Sequence, residues 1–132
     1  SMHHYLSMAQ GNFREYLRGE HVKIKKYFYV LRPILACKWI EKYNTSPPIL
    51  FQDLVADLIS DESLLEEVHS LLRRKMAGEE LDYEKRLDRI NDFIEAEIEH
   101  VLEFLKDFKT DLQDPTPLLD ELFRKYLKVV WS

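Results

Sequence analysis

The chain has 132 residues, 45% of them hydrophobic and 33% charged, with a formal net charge of -5. That length supports one hydrophobic core without staples, and the acidic balance excludes a global pull toward nucleic acid. Three glycines and five prolines are too few for a barrel or sandwich, which needs a turn every ~8–12 residues. An all-α fold is therefore expected, within a single helical domain spanning residues 1–132.

Taken in chain order, the first predicted element runs from His3 to Leu17, with Leu6, Ala9 and Phe13 at helical spacing and Gly19 as its stop. The second, Val22 to Tyr43, is the most apolar, with Phe28, Leu31, Leu35 and Trp39 in one stripe. Asn44-Thr45-Ser46-Pro47-Pro48 is a loop. A short helix follows over about 49–59. Asp61 or Ser63 then caps another that runs to Met76 and stops at Gly78. From Asp82 to Leu112 apolar residues recur in near heptads: Leu87, Ile94, Val101 and Phe108, with Ile98, Leu105 and Leu112 beside them. That spacing predicts one long amphipathic helix. Pro115 opens a last helix carrying Leu118, Leu122, Phe123 and Leu127. The expectation is an irregular bundle of about six helices.

The single cysteine, Cys37, permits no internal disulfide and fits a reducing cytoplasm. It reads as a small buried residue. No apolar run approaches the ~20 residues that span a bilayer, and no signal segment is recognised. A cytoplasmic location without membrane contact is expected.

The most informative segment is Lys23 to Pro33. On a helix, Lys25, Tyr29 and Arg32 share one face, with Lys26 beside them. That face opposes much of the Phe28-Leu31-Leu35 stripe, so one side packs while the other meets a ligand. Cations beside an aromatic ring suit a nucleoside triphosphate; the plain alternative is a solvated basic flank on a buried helix. Pro33 offers no N–H to the Tyr29 carbonyl and is expected to kink the helix. Tyr5, Met8, Tyr16 and Tyr27 lie around the basic face and are candidates for an exposed apolar patch that a partner domain, or a second copy in a homodimer, would cover.

Other constellations carry less. Glu66 with His69, and Glu97 with His100, have the Glu-x-x-His spacing of di-iron bundles, but neither pair points inward with its stripe. Arg14 and His21 have a ribonuclease-like spacing that Gly19 interrupts. His3 and His4 diverge by about 100° on a helix and rarely chelate together. The acidic runs read as solvated faces, and no metal site is assigned. The chain contains no Gly-x-Gly-x-x-Gly, no P-loop, no Asp-x-Asp and no Gly-Ser.

Two stretches bear a resemblance. His4-Tyr5-Leu6-Ser7-Met8-Ala9-Gln10-Gly11-Asn12-Phe13-Arg14-Glu15-Tyr16-Leu17 and, after it, Lys25-Lys26-Tyr27-Phe28-Tyr29-Val30-Leu31-Arg32-Pro33-Ile34-Leu35-Ala36-Cys37-Lys38-Trp39-Ile40 resemble the C-terminal half of a bacterial and phage family. These are the predicted nucleotidyltransferases of the DNA polymerase beta superfamily, linked by some members to RNA repair. The likeness covers the first half of the chain well; the acidic second half is similar only in its helical pattern.

The resemblance implies a division of labour. An N-terminal α/β domain, absent here, would carry Gly-Ser and the aspartates that hold magnesium. The helical domain would bind substrate and close one side of the nucleotide cleft. Lys25, Lys26, Tyr29 and Arg32 are then the substrate-binding candidates, with Asn12 and Arg14 as further ones, and no catalytic residue is assigned. Implied partners are a nucleoside triphosphate such as ATP, the missing catalytic domain, and RNA as one acceptor. This chain alone is expected to be inactive and to bind no magnesium. The rival reading is a stand-alone helical module that binds a protein or RNA without catalysis.

Overall fold

The computed structural model describes residues 2–111 of the chain, with side chains through residue 107. Helix α1 (Met2–Tyr16) buries Leu6, Ala9 and Phe13, the residues whose spacing announced it. It packs on α2 (Lys26–Tyr43), which is buried on most sides: Tyr27, Phe28, Val30, Leu31, Ile34, Leu35 and Cys37 are all in the core. A helix that is apolar nearly all round belongs in the middle of a domain. Helices α3 (Phe51–Leu58) and α5 (Asp88–Asp111) also pack on α2. Helix α4 (Glu62–Met76) packs on α5. The Asp61 carboxylate caps α4, accepting from the N–H groups of Ser63 (2.9 Å) and Leu64 (3.2 Å). Gly78, at φ 81, ends it.

Two expectations are corrected. Val22–Tyr43 is not one helix: His21–Lys23 forms strand β1, and α2 begins only at Lys26. Likewise α5 starts at Asp88 rather than Asp82, because Tyr83–Lys85 forms strand β2. The strands pair antiparallel, His21 with Lys85, Val22 with Glu84 and Lys23 with Tyr83. Each strand has three residues, too short for alternation to register, and the partners lie some 60 residues apart in sequence. Five helices are described; the helix expected after Pro115 lies outside the described residues, as do the side chains of Phe108 and Leu112.

The arm formed by the strands positions the start of α2. Leu81, buried at φ 38, turns its carbonyl to accept the Lys25 N–H at 3.2 Å. A leucine in the left-handed region is strained and persists because its surroundings hold it there. Below the arm a buried polar network ties three helices. The Tyr27 hydroxyl donates to Asn91 Oδ1 and accepts from the Leu87 N–H at 2.9 Å; Asn91 Nδ2 donates to the Leu17 carbonyl at 2.7 Å. Tyr27 is 0% exposed. Its expected place in a surface patch is therefore corrected: the ring fills the core and the hydroxyl organises the network. Met8 is exposed, while Tyr5 and Tyr16 are half-buried against the core.

Cys37 is fully buried, its thiol 3.5 Å from the Met2 carbonyl. Burial pushes the Cys37 thiol up to about 12, and the Tyr27 phenol likewise to about 12. The native state thus keeps protons that the unfolded chain releases at lower pH, so stability falls as pH rises above the ordinary thiol value. Two outcomes are expected. At pH 8, iodoacetamide should leave native Cys37 unmodified and label it only in denaturant. Between pH 9 and 10.5 the urea midpoint should fall, and Cys37→Ala should fall less steeply.

Candidate functional site

Because α2 is otherwise covered, its first half reaches the surface at only a few positions, and these are the ones singled out from the sequence. Tyr29 is 49% exposed and Arg32 is exposed. Lys26 is half-buried, and Lys25 is exposed at the helix N-cap. The Lys26 ammonium sits between two rings, 4.2 Å from the Tyr16 centroid and 4.5 Å from that of Tyr29. Such cation–π contacts hold a charge without neutralising it. Tyr16, at the end of α1, is a member of this cluster that sequence spacing had placed only in an apolar patch.

Asn12 joins the cluster from α1, through the backbone. Pro33 leaves the Tyr29 carbonyl without its helical partner, and Asn12 Nδ2 donates to that carbonyl at 3.4 Å. Helix α2 runs uninterrupted through Pro33, so the side chain of a neighbouring helix supplies what proline cannot. A double-mutant cycle should show it. Asn12→Ala should cost roughly 0.5–1 kcal/mol, a net hydrogen bond, and less in a Pro33→Ala background, where the substituted residue brings its own N–H.

Arg32 lies about two turns beyond Lys26. Its Nη1 donates to the Ile49 carbonyl at 3.0 Å, and its guanidinium stands 5.5 Å over the Phe51 ring. A guanidinium has five donors, so most of the fork is not engaged by the described residues. Arg14 is elsewhere: it lines a depression of about 280 Å³ between α1 and α5, with Gln10, Arg18, Glu95 and Glu99. The structure therefore gathers Lys25, Lys26, Tyr29, Arg32 and Asn12 on one side and leaves Arg14 on another.

Several cations outside this face are paired with carboxylates, although Arg14, Arg18, Lys23, Lys75 and Lys85 have none among the described ion pairs. Lys38 pairs with Glu97, Lys42 with Asp57, Arg73 with Glu66, Arg74 with Glu79 and Glu84, and Arg89 with Glu67. Among the described residues, no carboxylate pairs with Lys25, Lys26 or Arg32. The α2 N-terminus has no acidic residue in its first turn and no side-chain cap, so its positive end adds to the same field. The result is a positive face on a chain of net charge -5.

A larger cleft than the one beside Arg14 lies away from this face. It holds about 670 Å³ between α2, the α3–α4 connection and α5, and is lined by Lys38, Asp61, Arg89, Asp92 and Glu97 among others. Two of its cations are paired within the protein, Lys38 Nζ 3.2 Å from Glu97 Oε1 and Arg89 Nη1 2.9 Å from Glu67, while Glu97 Oε2 is buried without a hydrogen-bond partner among the described residues. Of the Glu-x-x-His residues, Glu66 pairs with Arg73, Glu97 with Lys38 and His100 with Glu41 at 2.8 Å. Among the described residues no three His, Cys, Asp or Glu side chains gather in a metal-binding group. No described helix is long and apolar enough to cross a membrane.

The described residues thus form a mostly helical fold with a small two-stranded sheet and a cationic, aromatic face at the start of α2. The chain matches the RNA repair pathway DNA polymerase beta family over residues 1–125, and it belongs to that family. It is also 50% identical over 132 residues to "Uncharacterized protein YcgL" of Bacillus subtilis (strain 168). The match covers all of this chain and 51% of that protein, so the chain spans about half the length of this curated relative. No solved structure matches it.

Proposed function

We propose that this chain is the helical, substrate-binding part of a nucleotidyltransferase, closing one side of a nucleotide cleft. The reaction would join a nucleoside monophosphate to an acceptor oxygen, RNA being one candidate acceptor. The α–β phosphoanhydride of the triphosphate breaks, and pyrophosphate leaves. One observation carries the reading: the Lys26 ammonium is held between the Tyr16 and Tyr29 rings, with Lys25 and Arg32 near it, and no carboxylate among the described residues pairs with any of the three. In this reading Lys26 and Arg32 meet the phosphates, Lys25 adds charge at their edge, and the exposed Tyr29 ring or hydroxyl meets base or sugar. Asn12 holds the α2 backbone in place beneath them.

In this reading the chemical step, which depends on positioned charge and metal, is supplied by a partner domain, in keeping with the absence of Asp-x-Asp and Gly-Ser from this sequence. The expected result is no transfer of labelled nucleotide from any of the four ribonucleoside triphosphates by this chain alone, with or without magnesium. Turnover that survives repurification and tracks the protein would overturn the division of labour. The rival, a non-catalytic RNA-binding module, uses the same face. It is favoured if oligoribonucleotide binds and triphosphates do not.

A further inference from the structure

The last turn of α4 carries three successive cations, Arg73, Arg74 and Lys75. Arg73 pairs with Glu66, and Arg74 with Glu79 and Glu84. Among the described residues Lys75 pairs with no carboxylate. Its ammonium instead stands 4.7 Å from the centroid of the Phe28 ring. Phe28 and Phe51 meet edge to face, centroids 5.8 Å apart, and the Arg32 guanidinium stands 5.5 Å over Phe51. Two cations from helices far apart in sequence thus flank one aromatic pair. Neither is neutralised, and Arg32 is anchored by the Ile49 carbonyl.

We propose that Arg32 and Lys75 together seat a phosphate group beside the Phe28–Phe51 pair, carrying the binding face from α2 onto the end of α4. This rests on reading the α2 face as the substrate face, and adds a residue that no spacing within α2 points to. The physical case is one of preorganisation. A ring face holds a lysine or arginine head in place while leaving N–H donors to point outward. A phosphate oxyanion accepts charge-assisted bonds from such donors. Both the tail of a nucleoside triphosphate and a phosphodiester of an RNA strand present that chemistry. The Lys26 cluster sits about two turns away along α2, roughly 9–10 Å by helical rise, so the two cation groups would meet different phosphates of one ligand.

The test titrates this chain at low salt with tripolyphosphate and, separately, with a short oligouridylate. The proteins compared are the wild type, Lys75→Gln, Lys75→Arg, Arg32→Gln and Lys26→Gln, each checked for an unchanged melting curve. Lys75→Gln should weaken tripolyphosphate binding about tenfold, the scale of one charge-assisted hydrogen bond, while Lys75→Arg should stay near wild type. Weakening confined to the oligouridylate would also support the seat and assign it to a phosphodiester. If Lys75→Gln binds both ligands as the wild type does, while Lys26→Gln and Arg32→Gln are weakened, the seat is wrong and the α2 face stands. If no variant differs, or the wild type binds neither ligand, both readings fall.

Discussion

Removing the charge of Arg32 or Lys26 in the protein that carries both halves should weaken nucleoside triphosphate binding by about 1.5–3 kcal/mol, roughly ten- to hundredfold or somewhat more. Equilibrium binding to Arg32→Gln and Lys26→Gln would read it directly. The magnitude follows from an ionised donor meeting an ionised acceptor where part of the water has been excluded. Folding should change little. Arg32 is exposed and gives up a single bond to the Ile49 carbonyl, and Lys26 loses only contacts with Tyr16 and Tyr29. Tyr29→Phe divides the roles of that side chain: stacking survives the change and a hydroxyl contact does not. Added salt should weaken binding by screening the exposed charges. Unchanged affinity in both charge variants would show that the face does not meet the triphosphate.

Asn91→Leu should destabilise the fold by about 2–5 kcal/mol, because two buried partners lose their hydrogen bonds together. The Leu17 carbonyl loses its side-chain donor, and the Tyr27 hydroxyl loses its acceptor. Tyr27→Phe should cost less, about 1–3 kcal/mol, since it orphans the Leu87 N–H and one Asn91 oxygen while the ring still fills the core. Urea melts of the two single variants and the double variant would measure the coupling. A double variant as costly as the sum of the singles would show that the network does not act as a unit. The network matters for function because it fixes the end of α1 against the starts of α2 and α5. Tyr16 and Lys26 meet across that same junction.

Much of this protein is legible in its sequence because the signals are local. The stripes Leu6-Ala9-Phe13 and Phe28-Leu31-Leu35 recur at helical spacing, and both proved to be core. Asp61 and Gly78 mark the ends of α4 through capping chemistry that reads a few residues at a time. The cationic face is legible for the same reason: Lys25, Tyr29 and Arg32 are polar positions left at the surface by the otherwise buried first half of the helix. What the tertiary structure decided involves residues distant in the chain. Three-residue strands become visible only when His21–Lys23 meets Tyr83–Lys85. Tyr27 reads as one more aromatic beside the basic run, and only Asn91 and Leu87, brought from α5 and its approach, turn its hydroxyl into a buried junction. Asn12 looks like a ligand-binding amide until Pro33 on the next helix is seen to need it. Lys75 stands 43 residues after Arg32 in sequence, and helix spacing cannot relate the two. Periodicity reports which side of an element is apolar; which neighbour covers that side, and which charges are left unpaired, is settled only when the whole core packs.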